Sequence, residues 1–377
     1  MDGFALPAMV RDLEMLVTCE TPSADLAALA VGAEVVATLG ERLLGRAPEW
    51  VYLGGRTHLT WRFGDGPGRV LLLGHYDTVW PVGSLARLPW SADGGIARGP
   101  GCFDMKAGLV MLFHALAALP DRSGITVLIN ADEEIGSPTS ASLIEEAARG
   151  RRAALVLEPS GAGGALKIAR KGVSAHTVTM LGRAAHAGLE PERGVNALVE
   201  AAHQVLAVAA LADPALGTTV TPTLLSAGSA GNTVPAEATL QIDVRAADEA
   251  EQRRVEAALA ALRPCLPGAE IHVVPGMSCP PLEPRRSAEL FDLARRLAEG
   301  QGITLRGIAV GGGSDGNRTA AAGTPTLDGL GAVGGGAHAD DEHVVLAELP
   351  ARTALLASLL RELTASPSSG STERRGS

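Results

Sequence analysis

Three apolar runs in this chain end on side chains that bind metals or move protons. Residues 69–74 (RVLLLG) lead into His75 and Asp77, residues 125–130 (ITVLIN) into Asp132, Glu133 and Glu134, and residues 153–157 (AALVL) into Glu158. Each run is apolar on both faces, the pattern of a strand covered by helices on both sides. Ligands of open α/β sheets bind at the carboxyl ends of such strands. Several carboxylates and an imidazole gathered there are costly neighbours without a cation among them, so the pattern predicts a bound metal. His75 and Asp77 stand two apart in extended chain and lean the same way. A ligating histidine commonly passes its second ring N–H to a carboxylate, a role that suits Asp77. Glu133 and Glu134 are adjacent and point differently, so one can ligate while the other acts as a base toward a water. Asp104 in GPGCFDMKAG and His338 in GGGAHADDEH are further candidates. Mixed carboxylate and imidazole donors suit zinc, with Co2+ or Mn2+ as substitutes.

The elements that must position these groups alternate. Two helices fill the first ~45 residues, broken at Pro22 and Ser23. The three buried strands then alternate with helices over 107–119 and 140–149, which implies a mostly parallel α/β sheet. Near residue 165 the character changes. A mixed strand over 173–181, an Ala-rich helix over 194–211, strands over 219–226 and 239–245, a helix over 249–262 and a strand over 270–274 read as a small α+β unit with a half-covered antiparallel sheet. The Pro-rich stretch CPPLEP (279–284) closes it, and buried α/β patterning returns with a helix from Ser287, a strand over 305–310 and a last helix from Leu346. The expected organisation is a discontinuous catalytic domain (1–168 and 283–365), an inserted unit (169–282) and a disordered tail (366–377), the tail being poor in apolar residues.

Composition narrows the classes. At 377 residues the chain has room for two or three domains. With 46% hydrophobic and 20% charged residues it can bury a large core. A net charge of −10 repels phosphate backbones and anionic membranes, so no nucleic acid or membrane is expected as a partner. The four cysteines are scattered without a CxxC and read as reduced thiols of a cytoplasmic protein. Glycine runs such as GAVGGG lack the Lys-Ser/Thr of a phosphate loop. His58, His114, His176, His203, His272 and His343 read as packing or surface residues.

The motifs GHYDTVW, GPGCFDMKAG, ADEEIGS, LEPS, GRAAHAG, AGNTVP, IDVR and GGGAHADDEHV occur in the order seen in the dizinc exopeptidases and deacylases, between about residues 65 and 345. That family takes in carboxypeptidase G, acetylornithine deacetylase, succinyl-diaminopimelate desuccinylase and aminoacylase, and GRAAHAGLEPERGVNALVEA most resembles the carboxypeptidase G branch. The resemblance implies an exopeptidase-type catalytic domain with an inserted dimerisation lid and two Zn2+ per chain. Asp104 would bridge the ions, His75 and Glu158 would complete one site, and Glu134 and His338 the other. Glu133 would be the general base and Asp77 the acid behind His75. A glutamate at position 158 goes with carboxypeptidases and deacylases, an aspartate with aminopeptidases. A cis peptide is implied at Asp104–Met105. His186 would reach into the partner subunit's site to hold the oxyanion, and Asn232 and Arg245 would hold the substrate's C-terminal carboxylate beside the Gly312–Ser314 turn.

The sequence also departs from the pattern. Glutamate-specific members carry Arg-Pro in the segment that reads SCPPLEP here, so Cys279 stands where an arginine is expected. The expected activity is zinc-dependent hydrolysis that frees a C-terminal amino acid from a small N-acyl or peptidyl substrate by a homodimer. An N-acyl-amino-acid deacylase is the alternative, and a non-hydrolytic carboxylate binder or scaffold a third reading.

Overall fold

The computed structural model describes residues 4–64 and 68–365; the tail expected to be disordered, 366–377, lies outside them. Six strands form the central sheet in the order Glu49–Leu53, Arg56–Arg62, Ile125–Asn130, Val70–His75, Ala153–Val156, Thr326–Leu327. The last four run parallel, and the first two extend the sheet antiparallel. Alternate side chains of the parallel strands serve opposite layers. Val70, Leu72, Val127, Ile129 and Leu155 join the main core with the helices Leu6–Val17, Leu26–Leu44, Ala107–Ala117 and Leu349–Thr364. Leu71, Leu73, Leu128 and Val156 face a smaller cluster that contains Ile144 and Ala148 of the helix Ala141–Ala148. This two-sided burial is why the runs read apolar on both faces.

A second sheet of four antiparallel strands runs Thr219–Ala227, Glu237–Ala246, Gly172–Leu181, Glu270–Cys279. The helices Ala197–Ala209 and Glu249–Ala260 cover one face through contacts among Val178, Met180, Ala201, Leu240, Ile242 and Val255. On the other face Ala175, Thr177 and Thr179 stay partly exposed, which accounts for the mixed pattern of that strand. At the join, Leu166–Arg170 pairs in parallel with Gly307–Val310. Arg170 and Leu282 exchange backbone hydrogen bonds of 3.0 Å in both directions, so the chain enters and leaves this sheet at neighbouring points.

Some boundaries differ from the sequence reading for local reasons. The helix expected from Ser287 starts at Pro284, a first-turn position where proline's missing N–H costs nothing. The helix expected from 194 starts at Ala197, because the Asn196 side chain accepts from the N–H groups of Leu198 and Val199. A small antiparallel sheet of Ser91–Asp93, Ile96–Arg98, His343–Val345 and Gly334–Gly335 was not anticipated from the sequence. The Asp104–Met105 peptide is cis.

The helix Ala107–Ala117 crosses close over a strand end. A Cβ added at Gly108 would stand 2.2 Å from the carbonyl oxygen of Leu157, the residue before Glu158. Replacing Gly108 by alanine must push helix and strand apart, an overpacking that costs about 1–3 kcal/mol. Gly108→Ala is expected to lower the urea midpoint accordingly and to weaken metal binding, both read by chemical denaturation with and without added zinc.

Candidate metal centre

Because neighbouring parallel strands end at one rim of the sheet, the groups that follow them are brought side by side. His75 closes the strand Val70–His75, Glu158 follows Ala153–Val156, and Glu133 and Glu134 follow Ile125–Asn130. The kinked segment Cys102–Lys106 and the loop after Gly334–Gly335 bring in Asp104 and His338. His75 Nε2 lies 3.4 Å from Asp104 Oδ1 and 3.3 Å from Glu158 Oε1. His338 Nε2 lies 3.5 Å from Asp104 Oδ2 and 3.0 Å from Glu134 Oε2. Asp104 thus turns one oxygen to each of two clusters, His75–Asp104–Glu158 and Asp104–Glu134–His338. Donors tetrahedrally placed about one zinc at ~2.0–2.1 Å stand about 3.4 Å apart, close to these separations. His75 Nε2, Asp104 Oδ1 and Glu134 Oε1 are buried and have no hydrogen-bond partner. Buried polar atoms are seldom left so, and metal ligation would satisfy all three. The donor set fits metal ions.

The electrostatics point the same way. Burial pulls the His75 imidazole down, but Asp104, Asp77 and Glu158 outweigh it and hold the ring well above its ordinary range. His338, drawn by Asp104 and Glu134, is pushed up to about 10. Burial lifts the Glu133 carboxyl well above the carboxylate range, and the charge of Glu158 adds to the lift. A site whose imidazoles hold protons this tightly is one that attracts positive charge.

Fixed groups hold this arrangement behind the cavity. His75 Nδ1 is 3.0 Å from the carbonyl oxygen of Asp77 and 3.4 Å from its Oδ1. The fully buried Asp77 carboxylate also accepts from Ser23 Oγ at 2.7 Å and from the backbone N–H groups of Glu133 and Glu134 at 3.2 Å. Glu342 accepts from the N–H groups of Gly101, Phe103 and Asp104 at 2.8–3.0 Å and from Trp80 Nε1 at 2.8 Å. It therefore ties the segment carrying Asp104 to the loop that carries His338. His338 itself has φ of 63°, a left-handed conformation that is strained for a non-glycine residue and concentrates at functional sites.

The centre opens on a cavity of about 390 Å³ lined by Asp104, Glu133, Glu134, Glu158 and His338 together with Arg245, Gly312 and Ser314. Arg245 reaches it from the strand Glu237–Ala246 and is held side-on by Asp243, Nε to Oδ1 at 2.9 Å and Nη2 to Oδ2 at 2.9 Å. Ser314 caps the helix Asp315–Ala321 and donates to Asp328 at 2.6 Å. His186 and Asn232 lie together, joined by the Ala187 N–H to Asn232 carbonyl bond of 2.9 Å and the His186–Thr233 bridge, but they do not line this cavity.

The sequence reading passed over several groups. Buried Arg170 donates to Glu158 Oε2 at 3.0 Å, to Asp328 Oδ2 at 2.7 Å and to the carbonyls of Gly312 and Gly313. It clamps a candidate metal ligand to the glycine turn, and Lys167 Nζ stands 3.9 Å from the same Glu158 oxygen. Asp328 follows the strand Thr326–Leu327, so the strand-end rule that found Glu158 would have found it too. Asp315 is buried beneath Ser137 and Asn130, and burial lifts its carboxyl to about 6.

Fold and centre together are those of a metal-dependent hydrolase. Residues 71–362 match Peptidase family M20/M25/M40. The chain is 34% identical to carboxypeptidase G2 of Pseudomonas sp. (strain RS-16), over 95% of this chain and 90% of that protein. It is 32% identical to the succinyl-diaminopimelate desuccinylase of Acidiphilium cryptum (strain JF-5), over 85% and 90% of the two chains. The aminopeptidase PepT of Bacillus cereus superposes with a TM-score of 0.75 at 21% identity, covering 96% of this chain and 99% of that one. The chain belongs to peptidase family M20/M25/M40 and is a metal-dependent amide hydrolase. Among the described residues no helix is long and apolar enough to cross a membrane.

Asp77 orients the His75 ring and accepts from the backbone under both glutamates. Removing its charge while keeping its shape should therefore weaken the centre without unfolding it. Asp77→Asn is expected to lose about 10- to 100-fold in metal affinity, measured by competition with a chromogenic zinc chelator.

Proposed function

We propose that this enzyme is a dizinc carboxypeptidase-type amidase that releases the C-terminal amino acid of an N-acyl or peptidyl substrate. The observation that carries the reading is Asp104, whose two oxygens face two separate donor clusters. His75 and Glu158 would complete one zinc site, and Glu134 and His338 the other. Zinc bound there supplies Lewis-acid polarisation of the scissile carbonyl and a water of lowered pKa. The residues do the rest. Glu133 lines the cavity beside both clusters but belongs to neither, which suits it to take the water's proton and pass it to the leaving amine. Arg245 offers a planar fork to the substrate's terminal carboxylate, and the Gly312–Ser314 turn closes that end of the cavity. The glutamate at position 158 and the likeness to carboxypeptidase G2 support release of a carboxyl-terminal residue.

The working unit is a homodimer in which the sheet of residues 172–279 serves as the pairing lid. Leu198, Val199 and Leu206 of the helix Ala197–Ala209 and Leu224 and Leu225 of the strand Thr219–Ala227 are exposed, apolar side chains that pairing with a second copy would cover. His186 and Asn232 stand away from their own cavity and so complete the partner's, His186 at the oxyanion. Four unpaired cysteines support a cytoplasmic setting.

Glu133→Ala is expected to keep about two zinc ions per chain by metal analysis yet to lose roughly 10²–10⁴-fold in kcat; near-normal turnover would refute the base. His186→Ala should lose roughly 10²–10³-fold if it supplies one oxyanion donor. Mixing the two inactive variants and following activity during subunit exchange should restore turnover, because the mixed dimer holds one intact site. No recovery after exchange shown by native mass spectrometry would place His186 outside the partner's site.

A further inference from the structure

The helix Asp315–Ala321 opens on a capping box. Ser314 Oγ accepts from the Gly316 N–H at 3.0 Å, and Asn317 Oδ1 accepts from the Ser314 N–H at 3.1 Å. Reaching back to the cap requires an acceptor alone, and the residue that usually does it is glutamate or glutamine. Asn317 carries two donors as well, and both are used. Its Nδ2 donates to the Lys171 carbonyl at 3.0 Å and to the Pro280 carbonyl at 2.8 Å. The side chain is fully buried, so all three contacts are made inside protein, where an unmade bond is costly. Glutamate would close the box but set a charge against the two carbonyls.

The two carbonyls are placed to carry this contact to the cavity. Lys171 directly precedes the strand Gly172–Leu181, and Pro280 directly follows its neighbour Glu270–Cys279. Gln252 ties these strands to each other, its Nε2 lying 3.5 Å from the Val173 carbonyl and 3.4 Å from that of Cys279. In the register of the second sheet Arg245 is opposite Val173, and Val173 is opposite Cys279. Residues directly opposite share a face of a sheet, and all three line the cavity. Val173 also meets the glycine turn, since a Cβ at Gly313 would stand 3.0 Å from Val173 Cγ2. One amide therefore joins the Gly312–Ser314 turn to the row of residues that ends in Arg245.

We infer that Asn317 is a positioning residue for the substrate's terminal carboxylate: it fixes the distance between Arg245, on the second sheet, and the Gly312–Ser314 turn, beside the metal centre. This rests on the reading above, in which Arg245 and that turn meet the carboxylate. Asn317 does not itself line the cavity, so it acts through the groups it holds. A carboxylate away from the reacting carbonyl is held alike in the ground and transition states, and weakening its contacts raises KM while leaving kcat.

The test uses the full-length, zinc-loaded enzyme with N-acetyl-L-methionine and N-acetyl-L-glutamate as substrates. Asn317→Asp keeps the shape and the capping acceptor but removes both donors. Asn317→Ala, which adds no charge, stands beside it in case the aspartate variant does not fold. Each is expected to raise KM by about 10- to 100-fold, the range of one charged hydrogen-bonded contact, with kcat little changed and zinc content unaltered. Loss of kcat and zinc together at unchanged KM would make Asn317 a plain helix cap and overturn the inference, as would wild-type kinetics in both variants. Calorimetric binding of N-acetyl-L-methionine against N-acetyl-L-methioninamide, which lacks the terminal carboxylate, reads the same contact without turnover. Wild type should prefer the acid, and Asn317→Ala should lose most of that preference. Equal binding of the two by wild type, or a preference that the variant keeps, overturns the inference. If wild type cleaves neither substrate, the amidase reading fails on its own, while the binding comparison still decides the role of Asn317.

Discussion

The constraint on which this structure depends is electrostatic crowding. Three carboxylates and two imidazoles meet at the rim of a parallel sheet, with donor atoms 3.0–3.5 Å apart and Asp104 common to both groups. As placed, His75 Nε2, Asp104 Oδ1 and Glu134 Oε1 have no hydrogen-bond partner, and a metal ion bound among them would satisfy all three. The fold is accordingly arranged to prevent the acids from relaxing apart: the strands bring them together by register, and a ring of fixed donors holds them.

That ring is built from buried charge of its own. Asp77 accepts from Ser23 and from the backbone beneath Glu133 and Glu134, Glu342 fastens the Asp104 segment to the His338 loop, and Arg170 grips Glu158 through Asp328 and the glycine turn. Buried ion pairs are weak contributors to net stability, but removing one partner is costly. Such pairs therefore serve placement more than adhesion.

Much of this was legible in the sequence because strand ends and motif order are one-dimensional signals. The doubly apolar runs gave the parallel strands, and the polar residues just beyond them gave His75, Glu134 and Glu158. What escaped notice depended on three-dimensional approach. Arg170 sits in a strand whose pattern says nothing of Glu158, twelve residues earlier, or of Asp328, far later. Glu342 looks like one more acid in ADDEH until four donors converge on it. Cys279 was visible as a departure, whereas Arg318, 39 residues on, joins it on the cavity wall only through the packing of strand against helix. Asn232 was expected beside Arg245, with His186 in a separate role; the structure instead sets Asn232 next to His186, away from the cavity of their own chain that Arg245 lines.

The paired crossing between the two sheets carries a mechanical meaning. Arg170 and Leu282 bond backbone to backbone where the chain passes out to the second sheet and back, so the two connections of that sheet are fastened to each other. Asn317 adds to the join by donating to the carbonyls of Lys171 and Pro280. The side chain of Arg170, at the same place, holds Glu158. A displacement of the two connections would therefore pull on a residue that grips the donor cluster, so that the join and the reactive centre share a lever.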